Sequence, residues 1–141
     1  MSKIQRGKSP CYCMNMRRAA NTISAIYDKF LMPINLSASQ FSLLLNLKYL
    51  EICSVTDLAN YIGLERTTVV RTIKPLVERG LVMDISSDNE RNRKLTLTKA
   101  GKEKMEEALP LWENAQNFIK KQLGEEKVKI LASLLEELSK I

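Results

Sequence analysis

The hydrophobic pattern of this chain keeps a helical period over most of its length and breaks that period once, between Leu81 and Thr98. Outside the break, apolar residues recur at intervals of three and four, as one face of a helix requires. Inside it, residues 81–85 and 94–98 are short β-prone runs separated by a polar, charged stretch. The pattern therefore predicts a mostly α-helical fold with one small β-hairpin.

Proline and small hydroxyl residues mark the ends of the first two predicted helices. An apolar stripe over residues 16–31 predicts a first helix, and Pro33 ends it. Ser37 or Ser39 caps a second helix that is apolar almost all round. Because it has no polar face of ordinary width, this second helix is expected to lie at the centre of the core.

A short helix, a tight turn and a longer helix follow. Ser54 or Thr56 caps the short helix, and Gly63 is placed to end it in the left-handed conformation. Residues 65–79 resume the helical spacing until Gly80 ends it. The residues of this longer helix that are predicted to point inward are Val69, Ile73, Leu76 and Val77.

The chain after the hairpin predicts two more helices. Thr98 caps a helix of about 24 residues, and Gly124 separates it from the last helix. The last helix carries two apolar stripes, which is more apolar surface than one neighbouring helix covers. A single small core cannot bury the helices at both ends of the chain, so the pattern predicts a homodimer.

The short helix, glycine turn and longer helix before the hairpin form the pattern of a winged helix-turn-helix, in which the second helix enters a DNA major groove. Arginine donates to guanine or phosphate, and threonine contacts phosphate, a base edge or a thymine methyl group. The alternative is that these polar side chains only form a solvated helix face and a charged hairpin tip. The candidate DNA contacts are Arg66, Thr67, Thr68, Arg71, Arg91 and Arg93.

Composition narrows the function class. The 141 residues suit one domain. The net charge is +6, and positions 1–18 hold five basic and no acidic residues. This distribution suits a polyanion such as DNA. The chain has no His, which removes most catalytic and metal sites, so we expect no enzyme, no metal and no cofactor. It has no apolar run of membrane-span length and three Cys, so we expect a cytoplasmic protein without a membrane partner.

The sequence resembles the MarR family of winged helix-turn-helix transcriptional regulators from about Cys11 to the C-terminus. The resemblance lies in Val55-Thr56-Asp57-Leu58-Ala59 with Ile62-Gly63, Arg66-Thr67-Thr68-Val69 with Arg71, Leu76-Val77-Glu78-Arg79-Gly80-Leu81-Val82, and Arg91-Asn92-Arg93 before Leu97-Thr98-Lys99-Ala100-Gly101. Two positions depart from the family pattern: Asn89 stands where an Asp of the wing is expected, and Val70 stands where a Thr is common.

The resemblance implies one domain over residues 1–141. Dimerisation helices at 11–36 and 102–141 would flank a winged helix-turn-helix at 37–101. It also implies a homodimer on a pseudo-palindromic operator in double-stranded DNA, whose affinity an effector lowers. A repressor released in this way is the expected function.

Cys13 and the residues after it resemble the start of the first helix in the organic-hydroperoxide-sensing branch of the family. There the matching Cys is the peroxide sensor, and a Tyr at the place of Tyr27 contacts it from the other subunit; Arg17 replaces a second Tyr of that branch. Cys11 would resolve a sulfenic acid across subunits, because a disulfide between two cysteines with one residue between them is strained. The alternative is that Cys13 is a structural thiol, as is expected for Cys53 in its apolar surroundings.

Two further alternatives stay open. Met14, Met16 and Trp112 either line a cavity for a small effector or belong to the ordinary core, which their helical spacing favours. The second alternative is a winged-helix protein-interaction module that binds no operator.

Overall fold

The computed structural model describes residues 4–87 and 93–141. In these ranges the chain forms six α-helices and a three-stranded sheet, which confirms the predicted mostly helical winged fold. The helices are α1 Tyr12–Leu31, α2 Ala38–Leu50, α3 Val55–Ile62, α4 Arg66–Glu78, α5 Lys99–Leu123 and α6 Glu125–Ser139, with a 3-10 turn at Met32–Ile34. The strands are β1 Ile52–Ser54, β2 Val82–Asp84 and β3 Lys94–Leu97.

Hydroxyl side chains begin three of the helices. Ser37 rather than Ser39 caps α2, because its Oγ accepts the Gln40 N–H at 3.1 Å while the Gln40 side chain accepts the Ser37 N–H at 3.0 Å. Ser54 rather than Thr56 caps α3, and the predicted cap of α5 is confirmed at Thr98. These bonds satisfy backbone donors that a helix start leaves without partners.

The predicted hairpin is confirmed, but it belongs to a larger sheet. Strands β2 and β3 pair antiparallel, with Val82 opposite Leu97. Strand β1 was not predicted; it pairs with the other edge of β3 and sets Ile52 opposite Thr96. The Thr96 hydroxyl also donates to the Glu51 carbonyl at 2.7 Å. The strand order is therefore β1-β3-β2, and the wing is anchored to the chain segment between α2 and α3.

The core lies between α2 and the elements around it. As predicted, α2 is central and buries Phe41, Leu43, Leu44 and Leu47. On α4 the inward positions are Val69, Ile73 and Leu76. The prediction that Val77 points inward is wrong, since that side chain is 39% exposed. One residue turns a helix by about 100°, so Val77 lies beyond Ile73, at the edge of the buried face that is farther from Leu76.

The helices at the two ends of the chain bury little of their apolar surface. Leu31 is the buried residue of α1, and α6 contributes no buried residue in the described chain. Helix α1 packs on α5, where the rings of Phe30 and Phe118 lie 5.7 Å apart. The exposed apolar side chains of α6 are Ile130, Leu131, Leu134, Leu135 and Leu138.

Membrane-spanning potential is low for each helix taken alone. Within residues 4–87 and 93–141 no single helix has the length and apolar character to cross a bilayer. Only the pair Tyr12–Ile34 and Ala38–Leu50, bent by 76°, reaches those criteria jointly, by length and composition.

Candidate nucleic-acid interface

Helix α4 presents a polar face away from the core. Arg66, Thr67, Thr68 and Arg71, predicted as DNA contacts, are all exposed on this helix. Within residues 4–87 and 93–141, no salt bridge engages either arginine. Lys74 is exposed on the same face as Thr67 and Arg71, at the helical spacing that aligns side chains. It was not among the predicted contacts, although its spacing was a sufficient signal.

The neighbouring elements hold α4 in place. It packs against α2, α3 and β2, and Gly63, with φ of 80°, ends α3 and turns the chain toward it. At the other end, Arg79 Nη1 donates to the Asn35 carbonyl at 2.7 Å. The Asp28 carboxylate of α1 accepts the Ala38 N–H at 2.6 Å. These two bonds join α1, the start of α2 and the end of α4.

The wing arginine Arg93 is paired inside the wing. Its Nε lies 2.9 Å from Asp84 Oδ2, and Nη1 donates to the Ser87 carbonyl at 3.4 Å. The hydroxyl and N–H of Ser86 both donate to Asp84 Oδ1. These bonds from Ser86, with the charge of Arg93, lower the pKa of Asp84 below its usual value. Arg93 is thus oriented from β2, whereas the predicted contact Arg91 lies outside the described residues.

The three cysteines differ in exposure. Cys11 and Cys13 are exposed free thiols at the start of α1, where the Cys11 N–H donates to Ser9 Oγ at 3.1 Å. Cys53 is a buried free thiol in β1, as expected for a structural cysteine. Burial and the nearby charge of Asp57 raise the pKa of Cys53.

Tyr27 is engaged within its own chain. Its hydroxyl donates to the Gln116 side chain of α5, and burial raises the pKa of Tyr27. Cys13 and Tyr27 are fourteen positions apart on one helix, or about 21 Å along its axis. Contact between them therefore requires a second subunit.

The proposed effector residues do not share a site in the described chain. Met14 and Met16 are about half exposed on α1, so they do not belong to the core of one chain. Trp112 stacks on Phe41, with ring centroids 6.0 Å apart, and packs against the core. The described residues hold no cluster of three or more potential metal ligands from His, Cys, Asp and Glu.

A cleft lies elsewhere, between the end of α2, the β1 and β3 strands and the start of α5. Its volume is about 590 Å³. Its charged lining residues are two of each sign: Lys48, Glu51, Lys102 and Glu106. The sequence did not predict this cleft, because it depends on the unpredicted strand β1.

Comparison with known proteins identifies the family of this chain. The family model described as MarR family matches residues 36–94, the segment from α2 through β2 that ends at the first residue of β3. The uncharacterised helix-turn-helix transcriptional regulator YwoH of Bacillus subtilis is 32% identical over 92 residues, which are 65% of this chain and 67% of YwoH. The chain belongs to the MarR family. It is accordingly a transcriptional regulator of a DNA-binding family rather than an enzyme.

Solved structures agree with MarR membership. The regulator MosR of M. tuberculosis, in complex with DNA, is 30% identical and superposes with a TM-score of 0.78, over 92% of this chain and 96% of MosR. BpsR of Bordetella bronchiseptica, whose DNA binding is regulated by 6-hydroxynicotinic acid, is 26% identical with a TM-score of 0.85, over 97% of this chain and 99% of BpsR.

Proposed function

We propose that this MarR-family regulator is a homodimer that binds a pseudo-palindromic operator and represses transcription until an effector releases it. The observation that carries the proposal is the outward face of α4, where arginine and threonine side chains are exposed. Within the described chain, neither arginine of this face forms a salt bridge. A dimer on its operator would exclude polymerase from the same DNA, hence the proposed repression.

The proposed DNA contacts differ between the middle of α4, its first turn and the wing. Arg71, near the middle of α4, is suited to a two-pronged contact with guanine O6 and N7. Arg66, Thr67 and Thr68 lie in the first turn, where they can reach phosphate oxygens or base edges. Arg93 and Arg91 of the wing are proposed to meet phosphates or a narrow minor groove.

The proposed dimer uses the terminal helices, residues 11–36 and 102–141. Support comes from the apolar side chains that α1 and α6 leave exposed, since a contiguous apolar surface of this kind is typical of an interface. Two copies related by a two-fold axis would present two α4 helices to successive turns of DNA.

Selection from a random duplex library, followed by footprinting on the selected sequence, tests operator binding. We expect a site with two-fold symmetry and a dimer-sized complex. Arg71→Ala should weaken discrimination between operator variants by about 1–3 kcal/mol. Arg93→Ala and Arg91→Ala should reduce affinity for all sequences and lower the log-log salt slope by about one unit per lost phosphate contact.

An intact dimer that forms no DNA complex at low salt would refute operator binding. That result would instead favour a winged-helix protein-interaction module. Unchanged affinity and salt slope for the double Arg91 and Arg93 variant would remove the wing from the interface.

For the release step we propose oxidation of Cys13. Its thiolate would attack the terminal oxygen of a hydroperoxide, so that the O–O bond breaks, the sulfur takes the OH group and becomes a sulfenic acid, and the alkoxide leaves as an alcohol after taking a proton from water. Exposure at the first turn of α1 supports this role. The thiol of Cys11 could then displace water from the sulfenic acid of the other subunit to form a disulfide.

Tyr27 is the proposed partner of Cys13 across the dimer. Its hydroxyl already meets α5 through Gln116, so a change at the thiol would reach the helix that connects the wing to α6. Coupling between effector and DNA is typically 1–3 kcal/mol, about 5- to 150-fold in affinity.

Operator affinity before and after peroxide treatment tests the sensor. Cys13→Ser should abolish the response and keep reduced binding, whereas Cys11→Ser should change only reversibility. Full affinity of a wild-type protein with measurably oxidised Cys13 would rule out the sensor. The small-ligand alternative would then be favoured, and the charged cleft beside α2 and α5 is its candidate site.

A further inference from the structure

Val70 interrupts the polar outward surface of α4. The side chain is 43% exposed and is flanked by Thr67, one turn earlier, and Lys74, one turn later. Its methyl groups have no hydrogen-bonding capacity, so Val70 can contribute only van der Waals contact to a partner. Such a residue weakens an exposed helix slightly through its β-branching.

The major groove offers one apolar group on its base edges, the C5 methyl of thymine. A β-branched side chain in a helix has one strongly preferred rotamer, so Val70 would present its methyl groups with little loss of conformational freedom on binding. Its place in the second turn of α4 also fits the docking of a recognition helix, whose N-terminal residues contact the bases.

We propose that Val70 is a specificity-determining residue that recognises a thymine through its C5 methyl group, in each half-site. The inference rests on the proposed function, since it assumes that α4 enters the major groove. It adds an apolar element to a readout otherwise built from arginine and threonine.

The chain supplies a matched control in Val77. It has the same side chain on the same helix, it is 39% exposed, and it lies seven residues later on a similar face. The separation along the axis is about 10 Å, which places Val77 in the last turn of α4. Removing its methyl groups should leave base recognition unchanged.

The experiment replaces each thymine of the selected duplex in turn by deoxyuridine, which lacks only the C5 methyl group. Affinities of wild type, Val70→Ala and Val77→Ala are measured by fluorescence anisotropy. For wild type we expect a loss of about three- to fivefold at one thymine per half-site, the effect of one buried methyl group. Val70→Ala should bind the thymine duplex and the deoxyuridine duplex of that position with equal affinity. Val77→Ala should keep the wild-type ratio of these two affinities.

Two results would overturn the inference: no thymine at which deoxyuridine weakens wild-type binding, or an unchanged deoxyuridine profile in Val70→Ala. If that variant binds too weakly to measure, Val70→Ser, which also lacks both methyl groups of valine, replaces it and must show a reduced ratio at the same thymine. If wild type forms no DNA complex, the proposed function and this inference are both contradicted. If wild type binds normally but removal of thymine methyl groups has no effect, only the inference is contradicted.

Discussion

At the scale of single residues, Gly101 stands where the first turn of α5 passes close to the chain after α4. A Cβ at this position would collide with the carbonyl oxygen of Leu81. That carbonyl cannot easily retreat, because it accepts the Thr98 N–H at 3.1 Å while the Thr98 hydroxyl donates to the Gly80 carbonyl at 2.6 Å. The absence of a side chain at Gly101 therefore lets α5 dock on the sheet.

Gly101→Ala should lower the free energy of unfolding by about 1–3 kcal/mol, the usual range for overpacking a tight site. Urea unfolding followed by circular dichroism measures this change. Gly7→Ala is the matched control, because a Cβ there meets no atom within 4 Å, and its stability should equal that of wild type. Equal stability of the two variants would contradict the close approach.

The three thiols should separate by reactivity. An aromatic disulfide reagent at neutral pH should titrate Cys11 and Cys13 rapidly, and Cys53 only on unfolding, because reaction needs an accessible thiolate. Burial raises the pKa of Cys53, so the stability associated with its neutral thiol is present below pH 9.0 and is lost as the pH rises through the raised value. Rapid reaction of a third thiol in the folded protein would be incompatible with a buried Cys53.

At the scale of elements, helices were largely predictable and strand β1 was not. The caps at Ser37, Ser54 and Thr98 were recognisable because side-chain capping is a local interaction. Strand β1 has three residues and no alternation of its own, and it exists because distant β3 offers a free edge. The ion pair of Asp84 with Arg93 could not be predicted either, because the two residues are nine positions apart and meet only when β2 and β3 pair.

The wing pair gives a prediction with an unusual sign. Asp84→Asn removes a negative charge, which by itself tightens binding to DNA. We expect weaker binding, by about fivefold, because Arg93 loses its orienting partner and must lose more side-chain freedom on binding. The lowered pKa of Asp84 means that the pair persists until the pH falls through that lowered value, below the usual 3.8.

Affinity for the selected operator, measured by anisotropy at two salt concentrations, tests the wing pair. Glu78→Gln removes an exposed acid from the end of α4 and is the control, for which we expect equal or tighter binding. If Asp84→Asn also binds more tightly, Asp84 does not position Arg93 for DNA.

At the scale of the whole molecule, one chain is an incomplete packing unit. The centre around α2 is filled, whereas α1 and α6 leave apolar faces to solvent. The sequence indicated this excess through the two stripes of the last helix, but periodicity could not identify which cross-chain contacts would cover them. The proposed contact of Cys13 with Tyr27 would likewise form only between two chains.

Leu135→Glu should shift the protein from dimer to monomer, because it places a charge in the proposed interface. Sedimentation velocity over a range of concentrations measures the mass. Lys127→Glu changes charge on the same helix at an exposed position and should leave the dimer intact. A wild-type mass of one chain at all concentrations would refute the dimer and the two-half-site arrangement.

Helix α5 runs without interruption through 25 residues, from the sheet to the start of α6. Its length is roughly 37 Å, so a rotation at one end, beside the sheet, moves the other end, beside α6. A tilt of about 5° at one end displaces the other by about 3 Å over that length. On the proposed operator, half-sites one DNA turn apart would require the two recognition helices to lie about 34 Å apart, so a displacement of this size at each α5 would prevent both from fitting at once. In the proposed dimer, a small chemical change near α1 would therefore have a large effect on DNA binding.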